Sequence, residues 1–311
     1  MNIKIENGIV HLINPKSKEK ASIQMDCGGT LTSLQLGFQN NLHEVIAIPN
    51  KKQYSLAQNP FYPSGLLMPW VNRVRNGNYS FLGKNYQLPI NEQNLGNAIH
   101  GFMARKSFKI SKEVTNDSFA LIELSHNYEG DFDGYPFKFK SILTYVLHKN
   151  GTLEFTMACE NEGESSMPFA CGWHPYFQLG HLTDLTVYFD SKEKYLSDSQ
   201  MIPLKAEPVN AINGMPLGSE KPDNVFLLNS SKESKVQLIN SNTKLKLELV
   251  FDSTIFPYFV AFCPENEECI ALEPMTGNTD CFNTFEGLIT LEPTQSFEGK
   301  VLISLSEIGQ N

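Results

Sequence analysis

The run Phe139-Lys140-Ser141-Ile142-Leu143-Thr144-Tyr145-Val146-Leu147-His148-Lys149-Asn150-Gly151-Thr152-Leu153-Glu154-Phe155-Thr156-Met157 decides the fold. Apolar and polar residues alternate on both sides of His148-Lys149-Asn150-Gly151, the period of a strand with one face in a core. Asn150-Gly151 supplies the positive φ angles that a tight turn between antiparallel strands demands. The stretch reads as a β-hairpin. Outward from it the same pattern recurs. Residues 1–13 alternate with a break at Asn7-Gly8, and residues 235–239 lead through Asn240-Ser241-Asn242 into 244–249. The chain closes on two more strand-like runs, 288–291 and 300–305. Prolines and glycines recur too closely for long helices, and β-branched and aromatic residues fill the gaps. The prediction is an all-β chain built as a large antiparallel β-sandwich. No linker, repeat or low-complexity tract divides it. Residues 1–311 are therefore read as one domain, with the polar stretch 191–223 as a long surface excursion.

The chain has 311 residues, of which 41% are hydrophobic and 19% charged, enough apolar material for a sizeable core. Its formal net charge of -9 argues against nucleic acid or an anionic membrane as a general partner. A local basic site is not excluded, because the only arginines, Arg73, Arg75 and Arg105, fall within one short stretch. The N-terminus lacks the basic-then-apolar run of a secretory signal, and no segment has the length of an apolar transmembrane helix. Cys27, Cys159, Cys171, Cys263, Cys269 and Cys281 are scattered without a close CxxC pair, which reads as buried free thiols in a reducing compartment. The expected setting is cytoplasmic.

Two histidines stand in glycine- and aromatic-rich surroundings: His100 in Asn97-Ala98-Ile99-His100-Gly101-Phe102, and His174 in Gly172-Trp173-His174-Pro175-Tyr176-Phe177. Imidazole titrates near neutral pH, so a histidine in an apolar wall is a candidate proton donor or acceptor. A satisfied core histidine is the competing reading for His174. On an extended chain Trp173 points opposite to His174 and Tyr176 alongside it. Cys171, three residues before His174, falls on the opposite face, which argues against a local Cys–His dyad. Glu273, in Leu272-Glu273-Pro274, ends an apolar run, and Pro274 is not expected to continue an interior ladder. A carboxylate partly desolvated at a strand mouth is a stronger base. A second copy, Leu291-Glu292-Pro293, is locally indistinguishable. No dinucleotide, P-loop, zincin or serine-hydrolase motif is present, and the two histidines have no metal-ligand spacing.

In their order along the chain these fragments resemble the aldose 1-epimerase (galactose mutarotase) family. The resemblance is carried by Pro63-Ser64-Gly65-Leu66-Leu67-Met68-Pro69, by Asn72-Arg73-Val74-Arg75-Asn76-Gly77 with Tyr79-Ser80-Phe81-Leu82-Gly83, and by Asn97-Ala98-Ile99-His100-Gly101. Gly134-Tyr135-Pro136-Phe137, the Gly172-to-Phe177 motif and Leu272-Glu273-Pro274-Met275-Thr276 complete it. It spans roughly residues 25 to 305. The resemblance implies a galactose mutarotase-like β-supersandwich with a shallow sugar cleft on one concave sheet. It implies Glu273, His174 and His100 as the catalytic cluster, and it favours Glu273 over Glu292. It further implies Arg73 and Asp223 as contacts to sugar hydroxyls, and adds Asn72, Trp173 and Tyr176 to the substrate-binding set. Trp70 and Phe102 are further candidates to cover the apolar face of the sugar.

The implied reaction interconverts the α and β anomers of a hexose such as glucose or galactose. Glu273 removes the proton of the C1 hydroxyl, His174 protonates the ring oxygen, and His100 holds the ring oxygen or an adjacent hydroxyl; reclosure reverses the roles. Nothing in this scheme requires a cofactor or a metal. The expected partner is a small-molecule sugar, and the expected state is a monomer or homodimer. Two alternatives remain: a hexose-6-phosphate 1-epimerase, suggested by Arg73, Arg75 and Arg105, and a non-catalytic carbohydrate-binding protein on the same scaffold.

Overall fold

The computed structural model describes residues 1–209, 214–218 and 221–309. The hairpin forms as the strands Phe139–His148 and Leu153–Asn161, with alternate residues buried along much of each. Its tip differs from the two-residue turn suggested by Asn150-Gly151. Only Gly151 takes a positive φ, 84°, and its N–H donates to the His148 carbonyl at 3.0 Å. The His148 N–H donates to Thr152, so Lys149 to Gly151 form a longer loop. The two-residue left-handed turn lies instead at Asn7-Gly8 (φ 50° and 78°), between the strands Asn2–Glu6 and Ile9–Ile13.

The hairpin belongs to a nine-stranded antiparallel sheet. Its order is Lys109–Thr115, Phe119–Tyr128, Phe139–His148, Leu153–Asn161, Ser296–Glu307, Leu245–Phe251, Ser234–Asn240, Leu185–Tyr188 and Met215–Pro216. The last strand of the chain thus lies in the middle, joining the central hairpin to the 234–251 hairpin. In a second large sheet the path runs Pro203–Pro208, Ser191–Ser197, Asp223–Leu228, Tyr258–Phe262, Ile270–Met275, Gly172–His174 and Gly65–Leu67. Tyr176–Phe177 continues along Ile270–Met275 and carries Ile46–Ala47 on its other side. A five-stranded sheet formed by the N-terminal residues 2–44 completes the frame. The antiparallel β architecture is as the sequence reads, and one contiguous buried cluster extends from Val10 to Ile303.

The stretch 191–223 is not the surface excursion expected. It contributes Ser191–Ser197, Pro203–Pro208 and Met215–Pro216, and leads into Asp223–Leu228. Its outward positions carry Lys192, Lys194, Lys205 and Glu207, which makes the outer strands of this sheet resemble a loop when only polarity is read. Residues 210–213 and 219–220 of that stretch lie outside the described residues. All six cysteines are buried and free. Among the described residues no helix is long and apolar enough to cross a membrane.

An aromatic column ties the two large sheets together. Tyr145 and Phe155, cross-strand partners, stack at 4.4 Å, and Phe155 packs at 4.7 Å on Trp173 of the second sheet. Trp173 is fully buried, and its indole N–H donates to the Ser64 carbonyl at 3.1 Å. Truncating such a side chain loses both contact area and cohesion with neighbours that cannot collapse into the space. Trp173→Ala is expected to lower unfolding stability by about 3–5 kcal/mol in urea titration. Leu82→Ala, at a side chain 72% exposed, should stay within about 0.5 kcal/mol of the parent.

Candidate active site

The decisive geometry comes from the register of two strands. Gly172 pairs with Met275, and Tyr176 pairs with Ala271, so the same register sets His174 opposite Glu273. Cross-strand side chains on one face are neighbours. Here His174 Nε2 lies 3.3 Å from Glu273 Oε1. Each residue is followed by a proline, Pro175 or Pro274, so each strand lacks a ladder donor beside the pair. The bonds that hold the strands flank the pair: Thr276 N–H donates to Cys171 at 2.8 Å and Leu272 N–H to Pro175 at 3.2 Å.

This corrects the expectation that Glu273 ends its strand. Ile270–Met275 runs through Pro274, which pairs with Phe259 in the sheet interior, and Glu273 is only 2% exposed. Pro274 is tolerated because the ladder toward the 172–177 segment is already interrupted by Pro175.

Period-two alternation then sorts the neighbouring side chains. His174, Tyr176, Glu273, Val260, Phe262 and Asp223 face a cleft of about 180 Å³. Trp173, Phe177, Leu272 and Phe259 point the other way into the core. Trp173 therefore does not reach the cleft, contrary to its expected place in the substrate-binding set. Trp70 and Phe102 fare alike: Trp70 is fully buried and packs edge-on against Phe102 at 5.7 Å, and neither lines the cleft. The apolar and aromatic side chains that do line it are Pro60, Phe61, Ile99, Tyr176, Val260 and Phe262.

The opposite wall comes from the paired segments Arg73–Val74 and Ala98–Ile99. Asn72 and His100 follow or precede these strands with left-handed φ values of 45° and 63°, and the His100 N–H donates to the Asn72 carbonyl at 2.8 Å. Gly101 lets this turn lie against Met68: a Cβ there would sit 2.1 Å from the Met68 carbonyl oxygen. The result sets the His100 ring edge-on to His174, centroids 5.1 Å apart. Tyr62 packs on the far side of His100 at 5.0 Å, with the Arg105 guanidinium over the Tyr62 ring.

Arg73 and Asn72 line the cleft, but Arg73 is not a free cation. Its Nε and Nη2 donate to Glu92 at 2.8 to 3.1 Å, and Nη1 donates to Asn72. Glu92 is a cleft residue that sequence reasoning missed; its only local signal is its place five residues before Asn97. Phe61 and Phe262 were missed too. Phe262 ends an almost wholly apolar strand, where sequence alternation gives no sign of which face is the cleft. Arg75 and Arg105 lie outside the lining. Arg75 pairs with Asp198 at 2.6 Å, and Arg105 donates to the Asn59 carbonyl at 3.0 Å. Glu292 is exposed and accepts from Ser166.

Enclosure sets the protonation states. Burial drives the Glu273 carboxyl well above its usual range, the Asp223 carboxylate adds to the rise, and Arg73 opposes it. Burial also drives the His174 imidazole down to about 3. His100 is held well below its ordinary value by burial first, then by His174, Arg73 and Arg105. Asp223 is reached by solvent, yet the surrounding walls raise its carboxyl, with Arg73 pulling it back. Enclosure thus pushes both members of the close pair toward their uncharged forms. Four buried polar atoms of this cluster have no partner within the protein: His100 Nδ1, His174 Nδ1, Tyr176 Oη and Glu273 Oε2. Unpaired buried polar groups are costly and rare, and they mark a place built for a polar ligand. A wider groove of about 610 Å³, between residues 1–4 and 113–115, has no comparable cluster among the described residues.

The family model for aldose 1-epimerase matches residues 9–304. An uncharacterized Escherichia coli K12 protein, YihR, is 39% identical over 124 residues, 40% of this chain and 38% of that protein. A second uncharacterized protein of the same strain, YphB, is 27% identical over 154 residues, 48% of this chain and 49% of that protein. The matched chain therefore spans less than half the length of these curated relatives. In three dimensions the fold superposes on a galactose mutarotase-like protein from Clostridium acetobutylicum with TM-score 0.87 at 20% identity, covering 99% and 98% of the two chains. Galactose 1-epimerase from Lactobacillus acidophilus NCFM superposes with TM-score 0.79 at 17% identity, covering 98% and 97%. With a family match that runs through both large sheets and every residue of the cleft, this chain belongs to the aldose 1-epimerase family.

Proposed function

We propose that this protein interconverts the α and β anomers of an uncharged aldose of hexose size by acid–base opening and reclosure of the ring. The observation that carries the reading is the buried His174–Glu273 contact of 3.3 Å at the base of a polar-and-aromatic cleft. Ring opening removes the C1 hydroxyl proton while the ring oxygen gains one. One mobile proton shared by a carboxyl and an imidazole meets that need. Glu273 as carboxylate takes the hydroxyl proton, His174 as imidazolium protonates the ring oxygen, and the reverse transfers close the ring on either face. Burial favours the uncharged form of the pair, so the sugar's own hydroxyls must help carry the separated charges. His100 stands against His174 to hold the ring oxygen or its neighbour, and Asp223 to accept from a hydroxyl. Tyr176, Phe61 and Phe262 offer the apolar faces that a pyranose ring needs. The cleft volume, below the roughly 300–1,000 Å³ of pockets for drug-sized ligands, suits a single sugar ring.

The phosphorylated-sugar alternative rested on Arg73, Arg75 and Arg105. All three guanidinium groups are engaged by protein partners, which leaves that reading without its motivating observation. The binding-protein alternative does not account for a desolvated acid and imidazole in contact.

Polarimetry on freshly dissolved α-glucose or α-galactose should show equilibration well above the buffer rate. Glu273→Gln should lower that acceleration by about a hundredfold or more, the scale of a lost general base, whereas Glu292→Gln should leave it unchanged. Retention in the first variant with loss in the second would refute the assignment. The pH dependence of stability provides a separate check. A carboxyl whose folded value is raised binds its proton more tightly when folded, so it lowers stability as pH climbs above the ordinary 4.5. Melting temperature should therefore fall less between pH 5 and pH 8 in Glu273→Gln than in the parent, and parallel curves would show that Glu273 is not held protonated.

A further inference from the structure

Glu92 is the one carboxylate in the cleft wall that is clamped from every side. Arg73 donates to it from Nε and Nη2, and the Asn97 side-chain amide donates to its Oε2 at 3.1 Å. The backbone closes the same loop, with Glu92 and Asn97 each donating an N–H to the other's carbonyl. A second layer braces that loop from the 198–202 turn. The Gln200 carbonyl accepts from Asn97, its side chain donates to the Leu95 carbonyl, and Arg75 holds both Gln200 and Asp198. The Arg73 and Glu92 side chains are only 17% and 13% exposed, so the pair is a fixed part of the wall.

The charge inventory gives the pair its meaning. Among the described residues lining the cleft, Arg73 is the lone lysine or arginine, while Glu92, Asp223 and Glu273 bring three carboxyls. A guanidinium forked onto a carboxylate has spent the geometry that would otherwise clasp a phosphate or carboxylate, and its charge is cancelled at close range. An anionic substituent on a sugar would meet a masked cation and surrounding acids. A hydroxyl would still find the outward hydrogens of Nη1 and Nη2. We propose that Glu92 is a specificity-determining residue: by masking Arg73 it makes the cleft select uncharged aldoses over anionic ones. This rests on the aldose reading above and names the substrate feature that is refused.

Calorimetric titration tests it with glucose, glucuronate (one charge at nearly the size of glucose) and glucose 6-phosphate. The parent should bind glucose at least about tenfold more tightly than either anion, and Glu92→Gln should shift the glucose-to-glucuronate affinity ratio toward the anion by about tenfold or more. Glu92→Asp, which keeps the charge, should hold the parental ratio. A parent that binds glucuronate or glucose 6-phosphate as tightly as glucose overturns the proposal, as does an unchanged ratio in a folded Glu92→Gln. If Glu92→Gln does not melt cooperatively, Glu92→Ser carries the test: a folded variant without the carboxylate should move the ratio toward the anion by a similar factor, and no movement overturns the proposal. Adding Arg73→Gln should abolish that shift, since no cation is then left to unmask, and a shift that persists overturns the masking role. Failure of the aldose reading would look different: no polarimetric acceleration with any uncharged sugar, even with the binding ratios as stated.

Discussion

The registration of 172–177 against 270–275 is the constraint on which the site depends. A one-residue slip of 172–177 would turn His174 into the core and bring Trp173 to the cleft, away from Glu273. The aromatic column from Tyr145 through Phe155 to Trp173 guards against that slip, because the indole fits only on the side facing the first sheet. Core packing and site geometry are consequently one problem. The residue that anchors the second sheet is the chain neighbour of the imidazole in the cleft.

That arrangement carries a thermodynamic cost in the same place where it has chemical use. His100, His174, Tyr176 and Glu273 each bring a buried polar atom without a protein partner, in a molecule whose core is otherwise densely apolar. The Asn161 amide shows the contrast, since it is also buried but donates to both Ser165 and Leu291. Desolvation moves Glu273 up and His174 down, which brings the two groups toward sharing one proton instead of standing as a fixed ion pair. The Arg73–Glu92 fork is the opposite device, a satisfied ion pair whose geometry is rigid and whose charge is spent.

Much of the fold was legible because antiparallel strands write their period into the chain. The 139–157 and 235–249 hairpins alternate plainly, and the break at Asn7-Gly8 is a turn between two strands, whereas at Asn150-Gly151 only the glycine takes the expected positive φ. Legibility failed where polarity and period disagreed. The strands in 191–208, at one end of the second sheet, carry charge outward and read as loop, and Pro274 reads as a strand end although it lies mid-sheet. Alternation places Trp173 opposite His174, and the structure keeps it on the core side, away from the cleft. The cleft's aromatic lining lay beyond local reading, since Phe61 and Phe262 come from segments far apart in sequence that meet only across the sheet.

The antiparallel β architecture, the break at Asn7-Gly8 and the histidines and glutamate that gather in one cleft are written in the chain. These follow from local periodicity, backbone sterics and the ordered motifs of a family. The closed structure alone buries Glu273 beside His174 while leaving Glu292 exposed, and it alone pairs Arg73 with Glu92. Both are matters of register and long-range contact. Residues 174 and 273 become neighbours only when strands distant in the chain are zipped together, and the desolvation that shifts both groups exists only once the sheets have closed over them.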